Sequence, residues 1–310
     1  MRRKFFAVSL SALLFALCSA ANAQQPGKIH RIGFLSGGFP GSTHWSTKLL
    51  DELRKLGYGE GKNIIVEARY TENRIERLPA LAGELVRLTV DVIVAGGRND
   101  TLAAKKATQT IPIIGLSLSD PVADGLVESL ARPGGNVTGY TTILDVLAGK
   151  RLELLSEIIA NLSRVAVLWN SHFPEARKQW IANQQVAREL GLQAHSMEVR
   201  SAEELEPAFK QAVKARSGAL SIMTGVFNNT HEKKIAGLSV KYRLPAIYDR
   251  ESFAVNGGLV SYGPDESERY NRVAVFVDKI LKGARPADIP VEQPTKFKFV
   301  INEKTAKQIG

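Results

Sequence analysis

The stretch SLSDPVADGLVESL contains two aspartates, Asp120 and Asp124. A carboxylate in such a place could act as a catalytic acid, contact a ligand or cap a helix. Asp120 precedes Pro121, and a residue before proline is kept out of the helical region, while proline suits the first helical turn. Asp120 is therefore predicted to be a helix N-cap, worth about 1 kcal/mol, and Asp124 a surface residue one turn inside that helix. No second acid or activated nucleophile accompanies Asp120, so catalysis is not predicted, whereas ligand contact stays open.

Other catalytic and metal-binding patterns are absent from the sequence. There is no G-x-S-x-G nucleophile elbow, and the 5 histidines contain no HExxH-type pair. His44 and His172 lie in predicted loops where they could touch a ligand or remain solvated. The stretch Gly37–Gly41 follows a strand and precedes a helix, but its adjacent glycines and Pro40 do not fit a dinucleotide site. We therefore predict no catalytic residue, no metal site and no cofactor.

The N-terminus has the pattern of an export signal. Residues 2–4 are basic, Phe5–Leu17 is an apolar run too short to span a bilayer, and Ala21–Ala23 has the A-x-A form of a cleavage site. We predict that residues 1–23 are a cleaved signal peptide and that the mature protein is periplasmic. The alternative is a lipid anchor on Cys18, but the residue before it is not small. Because Cys18 is the only cysteine, a cleaved chain would contain neither disulfides nor thiol-based sites.

The composition is that of an ordinary globular protein. The chain has 310 residues, of which 44% are hydrophobic and 23% charged, enough for two domains of roughly 140 residues each. Its formal charge of +10 is spread along the chain rather than clustered. Together with export, this spread argues against a nucleic-acid partner, and we expect a solvated surface with mild attraction for anionic solutes.

Short β-branched runs alternate with longer segments of helical period, which indicates a parallel α/β architecture. Two successive sets of such units predict two similar lobes. The predicted strands are Arg31–Ser36, Asn63–Tyr70, Val90–Ala95, Pro112–Ser119, Arg164–Trp169, Gln193–Val199, Ala219–Met223 and Ala246–Tyr248.

Ligands of parallel sheets bind outside the carboxyl ends of the strands, where helix N-termini and loops converge. The loops that follow the predicted strands are rich in Gly, Ser, Thr, Asn and aromatic residues. Two such loop-bearing rims that face each other would form a cleft between the lobes. The loops are Ser36–Trp45, Gly96–Asp100, Ser117–Pro121, Trp169–Pro174, Thr224–Thr230 and Tyr248–Ser252.

Long segments in one order, among them ELRKLGYGEGKNIIVEARY, IPIIGLSLSDPVADGLVESLARPGGNVTGYTT and VDKILKGARPADIPVEQPTKFKFVINEKTAK, carry a family resemblance. From Arg31 onward the chain resembles ABC-transporter substrate-binding proteins of the group that includes bacterial tryptophan- and tyrosine-binding proteins. The resemblance implies a type I periplasmic-binding-protein fold, in which three crossovers join two hinged lobes, each a doubly wound parallel sheet. It assigns residues 30–140 plus about 260–285 to the first lobe, and about 141–259 plus about 286–310 to the second. Members of the group usually continue a little beyond the position of Gly310.

Departures from the family pattern indicate where a ligand preference could lie. Arg98 stands where members usually carry small residues, and we hypothesise that its planar guanidinium binds a carboxylate in two places; the alternative is a solvated loop arginine. Asp249 could pair with a ligand ammonium or cap the next helix. Aromatic residues could stack a flat solute, or simply pack. The candidate ligand-binding residues are Ser36, Gly37, Trp45, Gly97, Arg98, Ser117, Ser119, Asp120, Thr141, Thr142, Asn170, Phe173, Thr224, Phe227, Tyr248, Asp249 and Tyr262.

The expected activity is capture without chemistry. A small organic solute, such as an amino acid or an aromatic or other small carboxylate, would bind between lobes that close on it. The closed form of a monomer would then present both lobes to an ABC permease of the inner membrane. Two alternatives remain: an exported sensory ligand-binding module, and an exported enzyme of doubly wound fold.

Overall fold

The computed structural model describes residues 28–40, 45–72, 74–171 and 174–310. The predicted signal peptide with Cys18, and also His44, His172 and Phe173, lie outside these residues. The strands are β1 (His30–Ser36), β2 (Ile64–Tyr70), β3 (Val92–Ala95), β4 (Ile113–Leu118), β5 (Val137–Thr141), β6 (Arg164–Asn170), β7 (Gln193–Val199), β8 (Ala219–Ile222), β9 (Ala246–Tyr248), β10 (Val260–Pro264) and β11 (Phe297–Ile301).

Helices follow most of the strands, as the alternating pattern predicts. They are α1 (Trp45–Lys55), α2 (Leu78–Arg87), α3 (Arg98–Ala107), α4 (Leu144–Ile158), α5 (Pro174–Glu189), α6 (Leu205–Lys214), α7 (Val226–Thr230), α8 (Glu232–Lys241), α9 (Glu251–Val255), α10 (Glu266–Leu281) and α11 (Glu303–Ile309).

The first sheet has the strand order β2-β1-β3-β4-β5, and all its neighbouring strands are parallel. Every residue of β3 is buried, which is expected when helices cover both faces of a parallel sheet. The chain leaves β1 toward one side for β2 and then returns to the other side for β3. This reversal leaves a crevice at the carboxyl end of β1, where loops have room to hold a ligand.

The second sheet has the order β11-β10-β9-β8-β6-β7. Its strands are parallel except for the edge strand β11, which runs antiparallel to β10. The predicted architecture of two doubly wound α/β lobes is therefore confirmed, with an antiparallel edge that the sequence pattern did not predict. We call the parts built on the two sheets the first lobe and the second lobe.

The chain passes between the sheets at more than one place. After β10, helix α10 packs Tyr270, Val273 and Phe276 into the core of the first sheet. The backbone then follows β5, where the Thr141 N–H donates to the Glu292 carbonyl oxygen at 2.8 Å, and it returns to the second sheet as β11. Sheet pairing thus puts β10 in the second lobe and residues near Glu292 beside the first. We propose lobe boundaries shifted accordingly from the expected positions near 260 and 285.

The predicted helix after Asp120 is absent, and that prediction was wrong. Residues 121–125 form successive turns instead. The Ala123 N–H still donates to Asp120 Oδ1 at 3.0 Å, so the aspartate stabilises a turn by the same bond that it would make as a helix cap. The Gly125 backbone has a φ of 65°, a left-handed conformation that ends the turn before a helix can propagate.

None of the helices in the described part of the chain combines the length and apolar composition that a membrane crossing requires.

The contact between α10 and the first sheet predicts a large effect for one core substitution. Phe276 is fully buried among residues of the first sheet, so Phe276→Ala should lower the free energy of unfolding by about 3–5 kcal/mol. Urea unfolding monitored by circular dichroism would measure the loss. The control Lys279→Ala changes an exposed position of the same helix and should cost less than about 0.5 kcal/mol. A Phe276→Ala loss below about 1 kcal/mol would contradict this packing.

Candidate functional site

A cavity of about 350 Å³ lies between the two lobes, at the carboxyl ends of strands from both sheets. The first lobe contributes loops after each of its strands β1 to β5, and the second contributes loops after β6, β8 and β9. Candidate residues that line the cavity are Ser36, Gly37, Gly97, Arg98, Ser117, Ser119, Thr142, Asn170, Thr224 and Phe227. Their contact with a ligand stays a prediction.

Asp100 joins two loops of the first lobe at the cavity wall. Its carboxylate accepts hydrogen bonds from the backbone N–H groups of Gly37, after β1, and Gly97, at the start of α3. Asp100 is the third residue of α3 and Gly97 is its N-cap residue. The bond from the Gly97 N–H to Asp100 therefore resembles the backward bond of a capping box. Burial raises the pKa of Asp100 to about 7, although the two N–H donors act to lower it. The carboxyl is therefore partly protonated near neutral pH.

Arg98 lines the cavity, but its planar fork already has a partner. Arg98 Nε and Nη2 contact the Asp124 carboxylate at 2.7 Å, and Nη1 donates to Asn99 Oδ1 at 3.3 Å. Arg98 is therefore not a solvated loop arginine, and Asp124, whose side chain is 11% exposed, is not a free surface acid. The two-point carboxylate pair predicted for Arg98 forms within the protein, so Arg98 would need to release Asp124 to bind a solute in that way.

Three aromatic side chains contribute to the cavity wall. Trp169 and Phe227 belong to the second lobe and Tyr270 to helix α10 on the first. Trp169 also stacks on Trp180 with ring centroids 6.2 Å apart, and its Nε1–H donates to Ser196 Oγ at 2.8 Å. Trp169 therefore both packs and lines the cavity, although it was not among the candidate ligand-binding residues. A flat ring could stack on these faces with a gain of about 0.5–1.5 kcal/mol beyond area burial.

A carboxylate at the start of α10 holds cations from both lobes. Glu266 Oε1 lies 3.4 Å from Arg250 Nη1 of the second lobe and 3.0 Å from Arg269 Nη2. Glu266 Oε2 lies 3.0 Å from Lys48 Nζ of α1. Burial opposes ionisation of Glu266, yet the three cations hold its pKa at about 2. Arg250 and Arg269 both line the cavity, so this wall carries positive charge.

Several buried polar atoms of residues in the described cavity lining have no hydrogen-bond partner. They are Thr224 Oγ1, Asn228 Oδ1, Asn229 Oδ1, Arg250 Nε and Arg269 Nε. The Asn228 amide nitrogen donates to the Met223 carbonyl oxygen at 2.6 Å, which fixes its oxygen as the free acceptor. A buried polar atom without a partner costs about 1–3 kcal/mol.

Two aromatic candidates lie outside the cavity, and the prediction that they form its rim was wrong. Tyr248 is fully buried, donates to Ser239 Oγ at 3.0 Å and stacks on Phe253. Tyr262 packs against Phe297 on the edge strand, with ring centroids 6.1 Å apart. Side chains alternate between the two faces of a strand, and these two tyrosines belong to strands rather than to the loops that follow them.

Three polar candidates also lie away from the cavity lining. Asp120 Oδ1 accepts a hydrogen bond within its own turn. Thr141 is buried, whereas the neighbouring Thr142 lines the cavity. Asp249 is buried, with Oδ2 3.6 Å from Arg250 Nη2. Helix α9 has Arg250 as its N-cap residue, so the suggested cap by Asp249 was wrong.

The side chain of Trp45 and the whole of Phe173 lie outside what the structure describes.

Sequence reasoning missed the residues with the most available donors and acceptors. Arg250, Asn228 and Asn229 lie within loops that were correctly placed at the cleft, but they were not singled out. Arg269 and Tyr270 come from α10, far away in sequence, and no local signal marks them. In the described ranges no group of three or more His, Cys, Asp or Glu residues could hold a metal ion.

A family model described as "ABC transporter substrate binding protein" matches residues 38–310. The "Tyrosine-binding protein" of Clostridioides difficile (strain R20291) is 26% identical over 257 residues, which is 83% of this chain and 74% of that protein.

Solved structures share the fold. A structure described as an ABC domain in complex with L-Trp from Streptococcus pneumonia superposes with a TM-score of 0.79 at 23% identity, covering 91% of this chain and 94% of that chain. A conserved domain protein from Vibrio cholerae gives a TM-score of 0.82 at 24% identity, covering 91% and 95%.

The buried Asp100 predicts a specific pH dependence of stability. Its folded-state pKa of about 7 exceeds the ordinary 3.8, so the folded protein retains a proton that the unfolded chain releases. This group should therefore lower the free energy of unfolding as pH rises from about 4 to 7, by up to about 4 kcal/mol. Asp100→Asn should remove that decline, which urea unfolding at several pH values would measure. The exposed control Asp288→Asn should keep the wild-type slope, and equal slopes for Asp100→Asn and wild type would refute the assignment.

Proposed function

The chain belongs to the ABC transporter substrate-binding protein family, and on that premise we propose that it captures a small carboxylate-bearing organic solute between its lobes for delivery to a membrane permease. Members of this family bind substrates and do not transform them. The Tyr-binding and L-Trp-bound relatives make aromatic amino acids and related aromatic acids the first solutes to consider.

The observation that carries this proposal is the combination of guanidinium groups and aromatic faces around one cavity. Arg250 and Arg269 present positive charge next to Tyr270, with Trp169 and Phe227 also on the wall. A carboxylate matches the guanidinium groups, and a flat apolar body matches the rings. The cavity of about 350 Å³ is at the small end of the usual range of about 300–1,000 Å³ for small-molecule sites. A solute with one ring system suits this volume.

Capture by closure is consistent with how the cavity is divided. Each lobe supplies its own part of the wall, so a solute that touches both parts favours the arrangement in which they lie close together. The Arg250–Glu266 ion pair already spans the two lobes. Micromolar affinity requires about 8 kcal/mol, which a few charge-assisted hydrogen bonds and one buried ring can provide after ordering costs.

Delivery requires that the protein work outside the cytoplasm. We propose that residues 1–23 direct export and are removed, and that the closed protein is a periplasmic partner of an ABC permease. Uptake of the bound solute by cells, lost when the gene is deleted, would test this role. Association with a membrane-bound kinase instead of a permease would make the protein a sensory module.

Solute capture predicts a rise in stability and a change in shape on binding. In a thermal-shift screen of amino acids, aromatic acids and short-chain acids, a solute at 100 times its Kd should stabilise the folded state by about 2.7 kcal/mol. Small-angle X-ray scattering with that solute should then give a smaller radius of gyration. Compounds of the same size without a carboxylate serve as controls. If no compound raises Tm and the radius stays constant, the proposed function is refuted.

A further inference from the structure

We propose that the captured solute is an aromatic carboxylic acid without an ammonium group, held through its carboxylate by Arg250. This inference rests on the proposed capture function and narrows its solute class. It separates this chain from relatives named for amino acids, because an α-amino acid carries an ammonium beside its carboxylate.

The guanidinium of Arg250 is available to a carboxylate. Its acidic neighbours are Glu266 Oε1 at 3.4 Å and Asp249 Oδ2 at 3.6 Å, whereas charge-assisted hydrogen bonds are about 2.7–2.9 Å long. Within the residues that the structure describes, none of its N–H groups makes a hydrogen bond, and Nε is buried without a partner. A carboxylate would supply two oxygens in the geometry of this planar fork.

The acids near the cavity already have the protein's own cations as neighbours. Glu266 holds Arg250, Arg269 and Lys48, and Asp124 holds Arg98. Asp249 Oδ1 has no hydrogen-bond partner, but Asp249 is buried beside Arg250 and does not line the cavity. A cationic group of a solute would have to compete with one of these arginines for its acid.

Asp100 is the only acid among the described residues that line the cavity. It is 7% exposed, and its oxygens accept from the backbone N–H groups of Gly37 and Gly97. Burial also favours its neutral form by raising its pKa to about 7. Asp100 is therefore a poor counter-ion for an ammonium.

An ammonium in this cavity would lose hydration without gaining a free carboxylate, and it would lie near guanidinium groups of the same charge. Both effects disfavour a zwitterion relative to a simple anion. The unpartnered oxygens of Thr224, Asn228 and Asn229 can accept hydrogen bonds but carry no net charge. They suit a neutral donor on the solute, such as a phenol O–H or an indole N–H.

Two sets of matched compounds test the inference on the wild-type protein. The first set is 3-(4-hydroxyphenyl)propionate, L-tyrosine and tyramine, and the second is indole-3-propionate, L-tryptophan and tryptamine. Each set keeps the ring and changes only the charged groups. We expect the acid to bind at least about 10-fold more tightly than the amino acid in one set or both, as an uncompensated charge costs more than about 1.4 kcal/mol. The amines should not bind. Calorimetry near neutral pH would measure the affinities.

Substitution of Arg250 tests its assigned role. Arg250→Gln should weaken binding of the acid by about 10- to 100-fold, because hydrogen bonds to charged groups contribute about 1.5–3 kcal/mol. Arg188→Gln removes an exposed arginine from helix α5 of the same lobe and should leave affinity unchanged. Thermal unfolding of both variants would establish that they are folded, and the compound comparison does not depend on either of them.

The outcomes are distinguishable. An amino acid that binds as tightly as its matched acid would refute the solute class and leave the capture function standing. Equal affinity of Arg250→Gln and wild type for the acid would refute the role of Arg250. If neither set binds, the inference fails, and the wider thermal-shift screen then decides the capture function separately.

Discussion

The carboxylate of Glu266 is the electrostatic centre on which the candidate site depends. Without it, Arg250, Arg269 and Lys48 would face one another with no anion between them, and like charges in a partly buried place repel strongly. Because Glu266 begins helix α10 directly after the last crossing from the second sheet, its position also fixes where the lobes meet. One acidic side chain thus holds the positive wall of the cavity together and joins the lobes there. A second anion of suitable shape, supplied by a solute, would complete the charge balance.

Periodicity and the geometry of parallel sheets predicted two α/β lobes and the loops that line the cavity, whereas the doubly wound topology was implied by the family resemblance. The 8 predicted strands all occur within two residues of their predicted bounds, because buried β-branched runs are a strong local signal. Loops after parallel strands converge at one edge of a sheet, so most candidates in those loops did reach the cavity. Strands β5, β10 and β11 were missed because each has only 5 residues, too few for a period to stand out clearly.

Individual partners could not be predicted, since they depend on contacts between distant parts of the chain. Arg98 was chosen as the carboxylate-binding group, but Asp124, 26 residues away, occupies it. Arg250 became the available arginine because its acidic neighbours lie too far away for short hydrogen bonds. Tyr248 was predicted to lie on the rim of the cavity, but its side chain is buried. A shift of one residue along a strand moves a side chain to the other face, and the sequence does not determine this register. Errors of this kind leave the fold prediction intact and change the predicted chemistry.

The late position of α10 in the chain has a consequence for how the protein acquires its structure. The core of the first sheet is completed by Tyr270, Val273 and Phe276, and the Lys48–Glu266 contact joins residues 218 positions apart. Pairing over such separations slows folding because a long loop must close first. Strands β6 to β10, by contrast, form a sequence-continuous set. These five strands of the second sheet can therefore assemble from one stretch of chain, whereas helix α10 of the first lobe and the edge strand β11 are added only when most of the polypeptide is present.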